Sequence, residues 1–128
     1  MAVITSFNAN LMVADMSRSI TFYCTYLGST VVQATPAAAP DWAMLKAGEV
    51  VLMLQAASQL RAEYPVLATC PPGGALTFYL HVADVHAAYA ALAGHAPVAK
   101  ALHRTDYGAW EFAILDPDGF VLTLAQDE

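Results

Sequence analysis

Histidine is the side chain best suited to act as acid, base or metal ligand near neutral pH, and all four histidines of this chain, His81, His86, His95 and His103, fall in its second half. They share no spacing that would aim two ring nitrogens at one ion, so each is expected to be exposed or hydrogen-bonded for structural reasons. His103, close to the end of its strand, is the one placed to serve as a lone base or a hydrogen-bond donor. Among the carboxylates, Asp116 and Asp118 flank Pro117 ahead of Gly119 and read as turn residues. Glu111 follows Trp110 on an apolar run and is expected on the opposite strand face, solvated or salt-bridged. No Ser-His-Asp arrangement, phosphate loop or pair of converging carboxylates is present, and Cys24 and Cys70 have neither metal spacing nor the numbers for a disulfide framework. No catalytic residue is assigned.

These side chains belong to a chain of 128 residues, long enough for one domain with a real core. With 58% hydrophobic and only 12% charged residues, apolar surface should remain for an interface or a ligand groove, and a homodimer is expected. The net charge of −6 argues against nucleic acid, which requires a basic stripe. No apolar run reaches membrane-span length, and the first residues lack the basic and apolar segments of a signal peptide. A reduced, cytoplasmic protein is expected.

The elements that must position the side chains repeat. Residues 3–13 read as a strand. Asp15 stands at an N-cap before Met16–Leu27, where Ile20, Tyr23, Cys24 and Leu27 line one helix face and Gly28 can end the helix. Strands follow at 29–34, 42–46 and 50–54, separated by a Pro/Ala-rich loop and a turn at Gly48. Residues 57–74 form a linker containing a short helical piece and then Pro and Gly punctuation. The order then restarts. A strand at 75–82 ends in Val82-Ala83-Asp84, repeating Val13-Ala14-Asp15, and Val85, Ala88, Tyr89 and Leu92 again mark a helix. A strand at 98–103 leads to Tyr107–Leu124, two apolar runs around Asp116-Pro117-Asp118-Gly119, a hairpin signal. The chain is therefore an α+β protein of two β-α-β-β-β modules, about 1–56 and 75–128, whose duplication suggests a shared concavity.

The stretch Asn10-Leu11-Met12-Val13-Ala14-Asp15-Met16-Ser17-Arg18-Ser19-Ile20-Thr21-Phe22-Tyr23, with Leu27-Gly28 after it, resembles the opening of the vicinal oxygen chelate superfamily. This superfamily includes glyoxalase I, extradiol dioxygenases and the bleomycin-resistance proteins. Asp116-Pro117-Asp118-Gly119-Phe120 resembles its closing hairpin. The resemblance implies a half-open cup built from the two modules, commonly completed by a second subunit. It also implies a divalent metal held by one His, Glu or Gln from each of four strands. Carried over by distance from the motifs, those positions are Asn8, Met53, Phe78 and Thr123. An amide, a thioether, a phenyl ring and a hydroxyl make a poor set for a hard or borderline cation, so no metal and no cofactor are expected.

If Leu115 pairs with Phe120, strand alternation places Trp110, Phe112, Ile114, Val121 and Thr123 on the concave face, with Asn8, Val51, Met53, Phe78 and Leu80. Trp42 stands in the first module where Trp110 stands in the second, and Tyr107 is placed to close the mouth. A surface with this composition suits a flat organic ligand fixed by a few hydrogen bonds from Asn8, Thr123 and Gln55. The expected ligand-binding residues are Asn8, Trp42, Met53, Phe78, His103, Tyr107, Trp110, Phe112 and Thr123. The expected function is metal-free binding of an aromatic, cationic small molecule in the manner the bleomycin-resistance resemblance implies, an antibiotic being the example. The rival is an isomerase, lyase or dioxygenase-like enzyme using His103 or Glu111 as its single base.

Overall fold

The computed structural model describes every residue from Met1 to Glu128. Eight strands form two four-stranded sheets, accompanied by three helices, and the chain divides into two compact units at Pro72 and Gly73.

The first unit begins its sheet with β1 (Ala9–Val13) and follows it with α1 (Met16–Leu27). Asp15 caps α1 by accepting a hydrogen bond from the Arg18 N–H at 3.0 Å, and Gly28 ends it. Three antiparallel strands follow, β2 (Thr30–Thr35), β3 (Trp42–Ala47) and β4 (Val50–Ala56), and β1 returns to pair in parallel with β4. The expected first strand is shortened: β1 pairs with β4 only from the Ala9–Leu52 step onward, and residues 1–8 have no strand partner, leaving Val3, Ile4 and Phe7 exposed. The buried face carries Leu11, Val13, Ala43, Leu45 and Leu54, and α1 lies against β2 and β4 with Met16, Ser19, Phe22 and Tyr23 buried. The short α2 (Ala57–Glu63) and a 3-10 turn at Pro65–Leu67 occupy the segment expected to be a linker.

The second unit repeats that topology with β5 (Thr77–His81), α3 (Val85–Leu92), β6 (Val98–Arg104), β7 (Ala109–Leu115) and β8 (Val121–Asp127). Its strand order, β5-β8-β7-β6, matches β1-β4-β3-β2 position for position. Asp84 caps α3 through the Ala87 N–H at 3.0 Å, as Asp15 caps α1.

The β7–β8 turn decides which side chains face where. Pro117, Asp118 and Gly119 form a three-residue loop closed by the Asp116 N–H on the Phe120 carbonyl at 3.0 Å. The Asp116 carboxylate also accepts from the N–H groups of Asp118 and Phe120, each at 2.9 Å. Gly119, at φ 89°, supplies the left-handed step that this loop length requires. Leu115 therefore pairs with Val121, one residue later than expected, and Phe112 pairs with Leu124 instead of Thr123. A one-residue shift in pairing exchanges the face assignments of one strand against the other. Gly73 is fixed by crowding: a Cβ there would lie 2.5 Å from the Asp118 carbonyl oxygen of the same turn.

Candidate functional site

In the second sheet, α3 identifies the core face directly. The Tyr89 ring stands edge-on to Phe112 with centroids 5.0 Å apart, and His86 lies 5.1 Å from Trp110. Phe112 is 0% exposed and serves as core, with Ile114, Leu122 and Leu124 buried beside it. Trp110 shares that face, and its indole N–H donates to Glu128 Oε1 at 3.2 Å, the carboxylate that also receives Arg104 through two bonds of 2.7 and 2.6 Å. Phe78 pairs with Leu122 and lies 6.2 Å from the Phe120 ring, so it too belongs with the core. The expectation that Phe78, Trp110 and Phe112 share a face with Thr123 is therefore corrected: the three rings lie on the core face and Thr123 on the other. For Trp110 and Phe112 the cause is the register of the 116–120 turn; for Phe78 it is the parallel pairing that sets it beside Leu122 rather than Thr123.

The opposite face of the same sheet carries what alternation had assigned elsewhere. Glu111 projects there with Ala113, Thr123, Ala125, Tyr79 and His81, and His103 pairs with Glu111 from β6. Glu111 is only 8% exposed. Its Oε2 accepts two short hydrogen bonds, from Tyr79 Oη and from Tyr107 Oη, each 2.7 Å. Tyr79 reaches across β8 because the strand presents the small Ala125 at that level. Tyr107 arrives from the tight turn before β7, which the Thr105 hydroxyl pins by accepting the Ala109 N–H at 3.0 Å. The remaining oxygen, Oε1, lies 4.0 Å from His103 Nε2. His103 Nδ1 is 2.8 Å from the Ala101 carbonyl, which fixes the proton on Nδ1 in the neutral ring and turns the Nε2 lone pair toward the carboxylate.

The electrostatics follow from these contacts. Burial works to raise the Glu111 pKa, but the phenol hydrogen bonds from Tyr107 and Tyr79, with the favourable electrostatics of nearby His103 and Lys100, outweigh it, holding the carboxyl below its usual range. The hydrogen bond to Glu111, reinforced by burial, pushes both phenols above the ordinary tyrosine value. The result is a carboxylate held ionised near neutral pH and ringed by neutral phenols. Glu111 is then a weak base, and its two donors are unavailable as acids near neutral pH.

The other expected residues lie in the first unit. Trp42, Met44, Met53 and Gln55 share the face of their sheet opposite Leu45 and Leu54. Asn8, just ahead of β1, donates to the Val51 carbonyl at 3.4 Å. Asn10 on that face donates to Gln55 Oε1 at 2.8 Å, and Gln55 donates to Glu63 of α2 at 3.2 Å. An open cleft of about 680 Å³ lies between the start of α1 and the 38–41 loop, lined in part by Asp15, Ser17, Thr21 and Asp41. Both of its carboxylates are engaged, Asp15 as the helix cap and Asp41 by Gln59 at 3.1 Å.

The divalent metal implied by the fold resemblance does not fit these residues. Phe78 is packed away from Thr123, its open-face neighbours on β5 are Thr77 and Tyr79, and nowhere do three His, Cys, Asp or Glu side chains converge. Of the site, sequence reasoning missed Tyr79, and it set Glu111 opposite Trp110, as found, without joining it to Thr123. The three-residue hairpin encoded by Asp-Pro-Asp-Gly could have put Glu111 and Thr123 on one face, because it fixes parity between β7 and β8; Tyr79 is placed by the parallel β5–β8 pairing, which has no local signal.

Residues 5–124 match the family model of the glyoxalase/bleomycin resistance protein/dioxygenase superfamily. A comparison with curated proteins found no match. Among solved structures, a protein of unknown function from Agrobacterium tumefaciens str. C58 superposes with a TM-score of 0.83 at 22% identity, covering 100% of this chain and 98% of that one. A glyoxalase/bleomycin resistance protein/dioxygenase from Nocardioides gives 0.81 at 20% identity, covering 99% and 85%. TnmS3, an antibiotic binding protein from Streptomyces sp. CB03234, gives 0.77 at 24% identity, covering 100% and 99%. At these identities the likeness is one of fold.

Proposed function

The chain belongs to the glyoxalase/bleomycin resistance protein/dioxygenase superfamily, and within it we propose a metal-free binding protein that sequesters an aromatic, cationic small molecule without transforming it. The observation that carries this reading is the helix-free face of the second sheet. It lacks a metal-ligand set but presents an ionised carboxylate, two phenols, an imidazole and the Thr123 hydroxyl at hydrogen-bonding positions. A few polar groups amid aromatic surface is the usual make-up of an organic ligand site. On the first sheet, Asn8, Trp42 and Met53 supply an amide, an indole and a polarisable thioether of the same general character. The fold is shared by TnmS3, an antibiotic binding protein, and the net charge of −6 favours a cationic guest. Exposed Val31 and Val32 on the edge strand β2 support a homodimer.

The enzyme reading, with Glu111 as single base, is disfavoured by the same geometry, since hydrogen bonds that hold a carboxylate ionised weaken it as a base. The test is a thermal-shift screen of chelator-treated protein against aromatic antibiotics, with mass spectrometry of the recovered compound. A true ligand at about 100 Kd stabilises the fold by about 2.7 kcal/mol and is recovered unchanged. If no compound raises the melting temperature, or if the bound compound returns chemically altered, the reading fails.

A further inference from the structure

Resting on that binding reading, we propose that the ligand carries a primary or secondary ammonium group, and that this group bridges Glu111 Oε1 and His103 Nε2. The Glu111 side chain is only 11% exposed, yet its hydrogen bonds are lopsided. Both phenols donate to Oε2, while no donor of the chain reaches Oε1 within hydrogen-bond distance. Oε1 is not sealed off, so an arriving donor can take the place of solvent on it. The facing atom, His103 Nε2, offers a lone pair in the neutral ring because Nδ1 is committed to the Ala101 carbonyl. Two acceptors thus face each other 4.0 Å apart. A single nitrogen donating to both at ordinary hydrogen-bond lengths would subtend roughly a right angle there, close to the tetrahedral H–N–H geometry of an ammonium group. A quaternary ammonium has no N–H to give, and a neutral hydroxyl cannot donate twice.

The surroundings suit such a guest. The rings of Tyr79 and Tyr107 are 46% and 65% exposed, and phenols hydrogen-bonded to a carboxylate offer electron-rich faces to a cation. The ionisable groups around Glu111 are Tyr79 and the adjoining His81 on β5, Tyr107 in the turn, and Lys100 and His103 on β6, with β8 contributing only Ala125 at that level.

The experiment is an NMR titration of the full chain with benzylamine, benzyltrimethylammonium and benzyl alcohol, following the His103 imidazole and the tyrosine rings. Benzylamine is expected to shift these signals and to bind about tenfold or more tightly than either comparison compound. Glu111→Gln should lose that advantage, and His103→Gln should weaken benzylamine several-fold. Circular dichroism of both variants checks the fold, and His103→Gln carries the test if Glu111→Gln does not fold. Equal binding of benzylamine and benzyltrimethylammonium, unchanged affinity in folded Glu111→Gln or His103→Gln, or no benzylamine binding would overturn the inference. A quaternary-ammonium aromatic antibiotic that raises the melting temperature and is recovered unchanged would still sustain the binding reading while these arms fail, so the two stand or fall separately.

Discussion

The two sheets share strand order, parallel first pairing and an aspartate-capped helix, but their exposed faces solve different problems. On the first, polar contacts run through neutral amides: Asn10 to Gln55, and Gln55 on to Glu63 of α2, a helix the second unit lacks. The buried Asn10 Oδ1 goes without a hydrogen bond. On the second, a full charge is buried, and two tyrosines from different parts of the chain converge to keep it ionised. An unpaired amide oxygen costs far less than an unpaired carboxylate. Duplication therefore preserved the frame and left one sheet able to hold a charge where the other holds only dipoles.

The comparison breaks most visibly in the cores. Phe112→Ala should destabilise by about 3–5 kcal/mol, because the ring is wholly buried against Tyr89. Leu54→Ala in the first sheet should cost about 2–5 kcal/mol for the same reason. Both are read from urea unfolding. A small effect at Phe112 would return that ring to a ligand face and undo the register of β7.

The next contrast lies between Glu111 and Gln55. Glu111→Ala removes the acceptor of two phenols and should cost about 1–3 kcal/mol, against about 1 kcal/mol for Gln55→Ala. Equal losses in chemical denaturation would mean that the charge is no better held than the amide.

Acid and alkali should then separate the sheets by sign. The Glu111 pKa is lowered in the fold, so its contribution is present above the ordinary glutamate value and is lost as pH falls through the folded one. The phenols of Tyr79 and Tyr107 are raised, so their contribution is present below the ordinary tyrosine value and is lost as pH climbs above it. Melting temperature plotted against pH should therefore fall at both extremes, and Glu111→Gln should flatten both limbs relative to the parent. Asn10 and Gln55 do not titrate, so Gln55→Ala should leave the shape of the curve unchanged.

Much of the frame was legible because it rests on local signals. Asp15 and Asp84 announce helix starts, Gly28 an end, and Val-Ala-Asp the repeat, and each acts within a few residues of itself. The face assignments in β1 and β4 also came from alternation alone, placing Met53 and Gln55 together. The candidate site was less legible because Glu111, Tyr79 and Tyr107 meet through pairing across three strands. That pairing depends on whether the 116–120 turn holds three residues or four. Both are compatible with Asp-Pro-Asp-Gly, and choosing between them reverses the side chains of β7 relative to β8.

The smallest effects fall at the two caps, and they sharpen the comparison because the motif is the same. Asp15→Ala and Asp84→Ala each remove one side-chain acceptor from a helix N-terminus, about 1 kcal/mol by equilibrium unfolding. The helices they begin are unequal. α1 has 12 residues and closes on a left-handed Gly28, whereas α3 has 8 and ends on Ala93 in ordinary helical geometry. A shorter helix has fewer internal hydrogen bonds across which to spread a lost terminal one. Asp84→Ala should therefore cost at least as much as Asp15→Ala, and local amide exchange should rise along more of α3 than of α1. The reverse order would mean that Tyr89 and Val85, packed into the second core, hold α3 in place without help from its cap.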